Sequence, residues 1–214
     1  IYLDNNRYKI ERADYKVEKL LDQVRPYSSS IIFGHSRLIT NGLEDNQPVI
    51  RNRISVIHNG IIVNENEAWK ATNLDRKLEI DSELIVAITD DFLNNGGDLN
   101  KLPDKILSIC RGVIACALII PDHGKALLFS NNGSLYIGDC ENSMVFSSER
   151  YGLELINCTD IRQIKDEGVL LDIDKVSCDF IVNDRKSRTE DLIPKVSLNS
   201  GEEELLKFEE TVLK

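Results

Sequence analysis

The chain has 214 residues, 42% hydrophobic and 29% charged, enough for one large domain with a sizeable core or two small ones. A formal net charge of −10 and a pI near 4.9 give a surface that repels phosphate backbones and anionic lipid, which argues against nucleic-acid and membrane partners. The longest apolar run, Val113 to Ile120, is strand-length and far short of the roughly 20 residues of a spanning helix.

The chain opens with Ile1-Tyr2-Leu3-Asp4, which reads as the middle of a strand; the expectation is that these residues begin inside a longer protein. Residues 1–11 read as two short strands around an Asp4-Asn5-Asn6 turn. Val17, Leu20, Leu21 and Val24 recur at helical spacing, and Pro26 stops that helix. Ile31-Ile32-Phe33 launches another strand into Gly34-His35-Ser36-Arg37-Leu38-Ile39-Thr40-Asn41-Gly42. There a fixed cation lies among small and apolar groups. Arg37 either sits on a solvated face or clamps a carboxylate with its planar fork.

Asn46-Gln47-Pro48 marks a loop. Ile54 to Val63 then places Asn59-Gly60 between two β-branched runs, the pattern of a tight hairpin with φ > 0 at its turn. Asn59-Gly60 is then a plain turn, or a turn that aims the Asn59 amide and the Gly60 N–H at a developing negative charge. Residues 64–72 read as a short helix carrying Trp69. Asp81-Ser82-Glu83 opens a longer helix that runs through Phe92 and Leu93 to Gly96-Gly97. Asp81 is either its N-cap or a carboxylate turned into a pocket to meet an ammonium group.

Residues 103–110 form another amphipathic helix, followed by short strands at 113–120, 125–129, 134–137 and 144–147. The turns between them carry Asp122-His123-Gly124, Asn131-Asn132-Gly133 and Glu141-Asn142, with His123 a solvated loop residue. A short helix over 149–156 and strands at 168–173 and 176–182 close this half. Residues 1–182 form the domain, and residues 183–214 read as a linker and the start of a C-terminal helix, with a capping box at Ser200-Gly201-Glu202-Glu203. The five cysteines (Cys110, Cys116, Cys140, Cys158 and Cys178) are odd in number and widely spaced. They read as reduced thiols of a cytosolic protein with no metal site and no cofactor.

Three blocks stand in order: Gly34-His35-Ser36-Arg37-Leu38-Ile39-Thr40-Asn41-Gly42, His58-Asn59-Gly60-Ile61-Ile62-Val63-Asn64 and Asp81-Ser82-Glu83. Weaker landmarks follow at Arg111-Gly112, Asn132-Gly133-Ser134-Leu135-Tyr136-Ile137-Gly138 and Phe146-Ser147-Ser148-Glu149. This ordered set resembles the glutamine-hydrolysing domain of class II glutamine amidotransferases, a family that includes glucosamine-6-phosphate synthase, amidophosphoribosyltransferase and asparagine synthetase. The resemblance implies an α+β fold, the four-layer αββα sandwich of two antiparallel sheets found in N-terminal-nucleophile hydrolases, here missing its first strand. It implies that Arg37 grips the α-carboxylate of glutamine and Asp81 its α-ammonium, while Thr40 lines the pocket. It also implies that Asn59 and Gly60 form the oxyanion hole.

The family's nucleophile is an N-terminal Cys, and none of the five cysteines stands in that context. Leu38 occupies the place where the family often has Trp, a looser lid over the substrate. The implied function is a cytoplasmic glutaminase domain that releases glutamate and ammonia. The ammonia would pass to a synthase domain, C-terminal or on a partner chain, and a homodimer is compatible with the resemblance. The alternative is a catalytically inactive module of the same fold that binds glutamine as a regulatory signal.

Overall fold

The computed structural model describes residues 1–5, 7–13, 17–24, 29–36, 46–173 and 181–185. Arg37, Thr40, Cys178 and the expected C-terminal helix lie outside the described residues. Strands β1 (Tyr2–Asp4) and β2 (Arg7–Ala13) pair antiparallel around the Asp4-Asn5 corner, as the alternation predicts. Helix α1 (Val17–Val24) follows, although Val17 and Leu21 of its apolar stripe are exposed. The strand expected at Ile31–Phe33 shrinks to one bridge, Tyr2 to Ile32, supported by Phe33 N–H donating to the Ile1 carbonyl at 2.8 Å.

A five-stranded antiparallel sheet forms the centre. It is built from β3 (Val49–Arg51), β4 (Ile54–Ile62), β5 (Gly112–Ile120), β6 (Lys125–Ser130) and, later in the chain, β10 (Glu167–Asp172), in the order β10-β6-β5-β4-β3. Between β4 and β5 come α2 (Glu65–Thr72), α3 (Ser82–Asn94) and α4 (Leu102–Ile109). These helices cover one face of the sheet. Val56, Ile114, Cys116, Leu118, Leu127 and Phe129 point into that layer and pack with Leu84, Ile85, Ile88, Leu102 and Ile106. Full burial of each such aliphatic side chain contributes about 1.5–3 kcal/mol.

The alternate residues, Ile57, Ala115, Ala117, Ile119, Ala126 and Leu128, face the other way into a second core with Tyr8, Ile10, Phe33, Leu135 and Ile137. Burial on both faces explains why β5 reads as an unbroken apolar run instead of an alternating one. The second layer consists of two three-stranded sheets. One is β1-β2-β11, in which β11 (Ile181–Arg185) runs parallel to β2. The other is β8-β7-β9, from β7 (Tyr136–Cys140), β8 (Ser143–Ser147) and β9 (Thr159–Gln163), all antiparallel. Helix α5 (Arg150–Leu155) lies against this second sheet and α1 against β2. The order helix, sheet, sheet, helix is the expected sandwich, with its second sheet layer divided in two. β11 runs across residue 182, where the linker was expected to begin.

One expectation fails outright. Asn59-Gly60 is not a hairpin turn: β4 continues straight through it, with Asn59 opposite Ala115 and Gly60 opposite Ile114. The reason is the partner strand. An eight-residue ladder with β5, from Ser55–Ile119 to Ile62–Gly112, outweighs the local turn preference of the dipeptide. Among the described residues no helix is long and apolar enough to cross a membrane.

Candidate active site at the free edge of a central strand

β3 pairs only with the first three residues of β4, ending at Val49 opposite Val56. Beyond that point, other groups meet the backbone on the outer edge of β4. His58 N–H donates to Gln47 Oε1 at 2.7 Å, and Gln47 Nε2 donates to the His58 carbonyl at 2.9 Å. One side-chain amide thus stands in for the missing strand. Four residues further on, Ile62 N–H donates to Asp81 Oδ2 at 2.9 Å. Residues 58, 60 and 62 point their N–H and C=O groups to the same side of a strand, so Gly60 presents its N–H on this edge between the two contacts.

Gly60 has φ +148°, and a Cβ built on it would lie 1.9 Å from the Val113 carbonyl oxygen and 2.9 Å from His58 Nε2. Gly112 repeats the conformation across the ladder, at φ +137°, where a Cβ would lie 2.0 Å from the Ile61 carbonyl oxygen. Glycine is therefore required at 60 for close approach within a strand and not for a turn.

Behind this edge lies a buried polar cluster. His58 Nε2 faces the Val113 carbonyl at 3.2 Å, which assigns the proton to Nε2, because a carbonyl only accepts. Nδ1 is then an acceptor and meets Ser82 Oγ at 3.1 Å; Asp81 Oδ1 lies 3.3 Å from the same hydroxyl and 4.0 Å from Nδ1. Gln47 Nε2 also reaches Ser82 Oγ at 3.4 Å. Burial lowers the His58 pKa, against the opposing pull of Asp81 and of the Val113 hydrogen bond, so the ring is neutral near pH 7.

Asp81 occupies the N-cap position of α3, yet its side chain caps none of that helix's N–H groups. Its carboxylate, on a residue only 5% exposed, is committed to β4. The loop ahead of α3 is held by Glu83, which accepts from Lys77 N–H and Leu78 N–H and lies 3.6 Å from Arg51 Nη1.

Asn59 points to the opposite, sheet-to-sheet face. There it lines a cleft of about 300 Å³ with Gly34, His35 and Ser36, Ser134, and Phe146 to Ser148 from the end of β8. Small residues of β5, Ala115 and Ala117, leave this space open. Phe33 and Phe146 meet edge-to-face beside it, ring centres 4.8 Å apart.

The structure thus brings Asn59 and Gly60 to one rim, with Asp81 reaching the same strand from the helix side. Arg37 and Thr40 lie outside the described residues, but Gly34 to Ser36, immediately before Arg37, line the cleft. Sequence reasoning missed Gln47 and Ser82 as members of the cluster, and it assigned His58 no part. The signal for His58 was available: a lone imidazole within an apolar run. Burial raises the Cys110 thiol to about 12, aided by Asp81, and likewise lifts Cys116, so neither is a ready nucleophile. Among the described residues no group of three or more His, Cys, Asp or Glu side chains could hold a metal ion.

Comparison with known proteins points the same way. The family described as "Glutamine amidotransferase domain" matches residues 35–154, more than half of the chain. A glutamine–fructose-6-phosphate aminotransferase (isomerizing) of Bradyrhizobium diazoefficiens is 32% identical over 151 residues, covering 66% of this chain and 23% of that protein. The enzyme of the same name from Pyrobaculum aerophilum is 33% identical over 125 residues, covering 54% and 21%. Among solved structures, the glutamine phosphoribosylpyrophosphate amidotransferase of B. subtilis superposes with a TM-score of 0.51 at 21% identity, over 64% of this chain and 32% of that one. The chain therefore spans about a fifth to a third of the length of these proteins.

Proposed function

The chain belongs to the glutamine amidotransferase domain family, and on that premise we propose that it is a glutaminase domain, binding glutamine in the cleft beside β4 and hydrolysing it to glutamate and ammonia. The observation that carries this reading is the pairing at one rim of Asn59, facing the cleft, with Gly60, whose N–H lies on the edge of β4 that β3 does not cover. The Asn59 amide and the Gly60 N–H serve as the oxyanion hole. Arg37, following the cleft-lining Ser36, grips the α-carboxylate, and Thr40 lines the amino-acid pocket. Asp81 takes the α-ammonium, which must approach its carboxylate along the edge between Gly60 and Ile62.

In the reaction a thiolate adds to the glutamine side-chain carbonyl, and the oxyanion collapses with loss of ammonia to a glutamyl thioester. Water then releases glutamate and restores the thiol. On this reading the thiol is the family's N-terminal Cys; among the described cysteines, Cys110 and Cys116 are buried with raised pKa, and Cys140 and Cys158 lie at the β7–β9 sheet. On the same reading these 214 residues by themselves are inactive. The ammonia acceptor is a synthase domain, C-terminal or on a partner chain. A cytoplasmic location and a homodimer belong to the same proposal.

The test is a glutaminase assay on the full-length protein that carries this chain. Release of glutamate, lost on replacing the N-terminal Cys by Ala while calorimetry still detects glutamine binding, is the expected result. Absence of both turnover and glutamine binding overturns the reading. Binding without turnover in the unaltered protein overturns the catalytic half alone.

A further inference from the structure

Outside this site, two thiols are set against each other across a pair of strands. β7 and β9 pair antiparallel with Asp139 opposite Thr159, and the next step along that register puts Cys140 opposite Cys158. Cys140 Sγ reaches the Ile156 carbonyl at 3.4 Å. Gly138 leaves room beside Cys158, since a Cβ there would lie 3.2 Å from Cys158 Cβ. Both cysteines are half-buried and reachable from solvent, unlike the buried Cys110 and Cys116. Directly opposed residues of an antiparallel pair hold their Cα atoms about 4.5–5.5 Å apart, inside the range that a disulfide spans.

We propose that Cys140 and Cys158 are a reversible thiol-modification site, closing to a cross-strand disulfide by exchange with a small-molecule disulfide of the glutathione class. One thiolate attacks the oxidised glutathione, forming a mixed disulfide and expelling a glutathione thiolate. The second cysteine, its proton lost to solvent, displaces the remaining glutathione. Two protein thiols are oxidised to one disulfide, and one glutathione disulfide is reduced to two glutathione thiols. Burial first, then the neighbouring Cys140 thiol and the Asp139 charge, hold the Cys158 pKa above its usual value, so exchange at this thiol quickens as pH rises. The bond would close a loop containing β8 and α5, the unit that delivers Phe146 and Ser147 to the cleft. This inference does not rest on the glutaminase reading.

The experiment incubates the protein with oxidised glutathione, followed by thiol titration and peptide mapping by mass spectrometry. The expected result is loss of two titratable thiols, a linked Cys140–Cys158 peptide pair without bound glutathione, and recovery of both thiols with dithiothreitol. Cys140→Ser and Cys158→Ser should each retain one glutathione on the surviving partner. Two free thiols after treatment, separate glutathione adducts on both residues of the unaltered protein, or a link from either residue to Cys178 overturns the proposal. If a serine variant fails to fold, the map of the unaltered protein decides between these outcomes.

Discussion

His58 Nε2 lies 3.2 Å from the Val113 carbonyl, and a side chain on Gly60 would have to occupy the space where they meet. Gly60→Ala must therefore move a backbone carbonyl and leave the mirror-image extended region, for which strain alone costs about 1–3 kcal/mol. Urea unfolding should show a destabilisation of at least about 2 kcal/mol once overpacking is added. Adding His58→Ala should not restore stability, because the 1.9 Å contact is with backbone. Recovery in the double variant would place the clash on the ring instead.

Asp81→Ala leaves the buried Ile62 N–H without its acceptor, a loss of about 1–3 kcal/mol in unfolding free energy. Asp81→Asn keeps an oxygen for that N–H and should retain most of the stability. Because it removes the negative charge, it should still weaken glutamine binding. Calorimetry and urea unfolding of the two variants together separate the structural duty of this carboxylate from its proposed role at the ammonium.

Asn59→Ala should leave unfolding within about 0.5 kcal/mol, since the side chain is exposed and faces the cleft. In the catalytically complete protein it should reduce kcat by about 10²–10³ with little change in KM, the signature of a donor used in the transition state. An unchanged kcat would remove Asn59 from the oxyanion hole.

The pH dependence of stability carries a signature of the His58 cluster. Its folded pKa is lowered, so the unfolded chain binds the proton more readily and folding favours the neutral ring. That contribution is complete above the unfolded value of about 6.5 and is lost as pH falls from there toward the folded pKa. Melting temperature should decline between pH 7 and pH 5, and the decline should be shallower in His58→Gln. An equal slope in both proteins would assign the effect to groups other than His58.

Much of the fold was legible because periodicity alone fixes it: α2, α3, α4 and the strands from β5 to β8 fall close to where alternation and helical spacing put them. The Asn59-Gly60 hairpin was misread for a physical reason. A turn preference is local, whereas the ladder that overrode it joins residues fifty or more positions apart. Gly60 was expected at a tight turn, and the constraint found there is close packing against the Val113 carbonyl and the His58 ring. Asp81 was weighed as a cap or a pocket group, and its contact with Ile62, nineteen residues away, follows neither pattern. Gln47 looked like loop because nothing in Asn46-Gln47-Pro48 reveals that its amide imitates a strand residue.

The short reach of β3 has a consequence for association as well as for chemistry. A strand edge with unsatisfied backbone groups is a template on which another chain can assemble. On the proposed reading a substrate reaches that edge, which a full-length neighbouring strand would close. Among the described residues, Gln47 and Asp81 instead meet it at single points, His58 and Ile62, on either side of Gly60. The same two side chains that shape the rim therefore leave little of that edge for another strand to pair with.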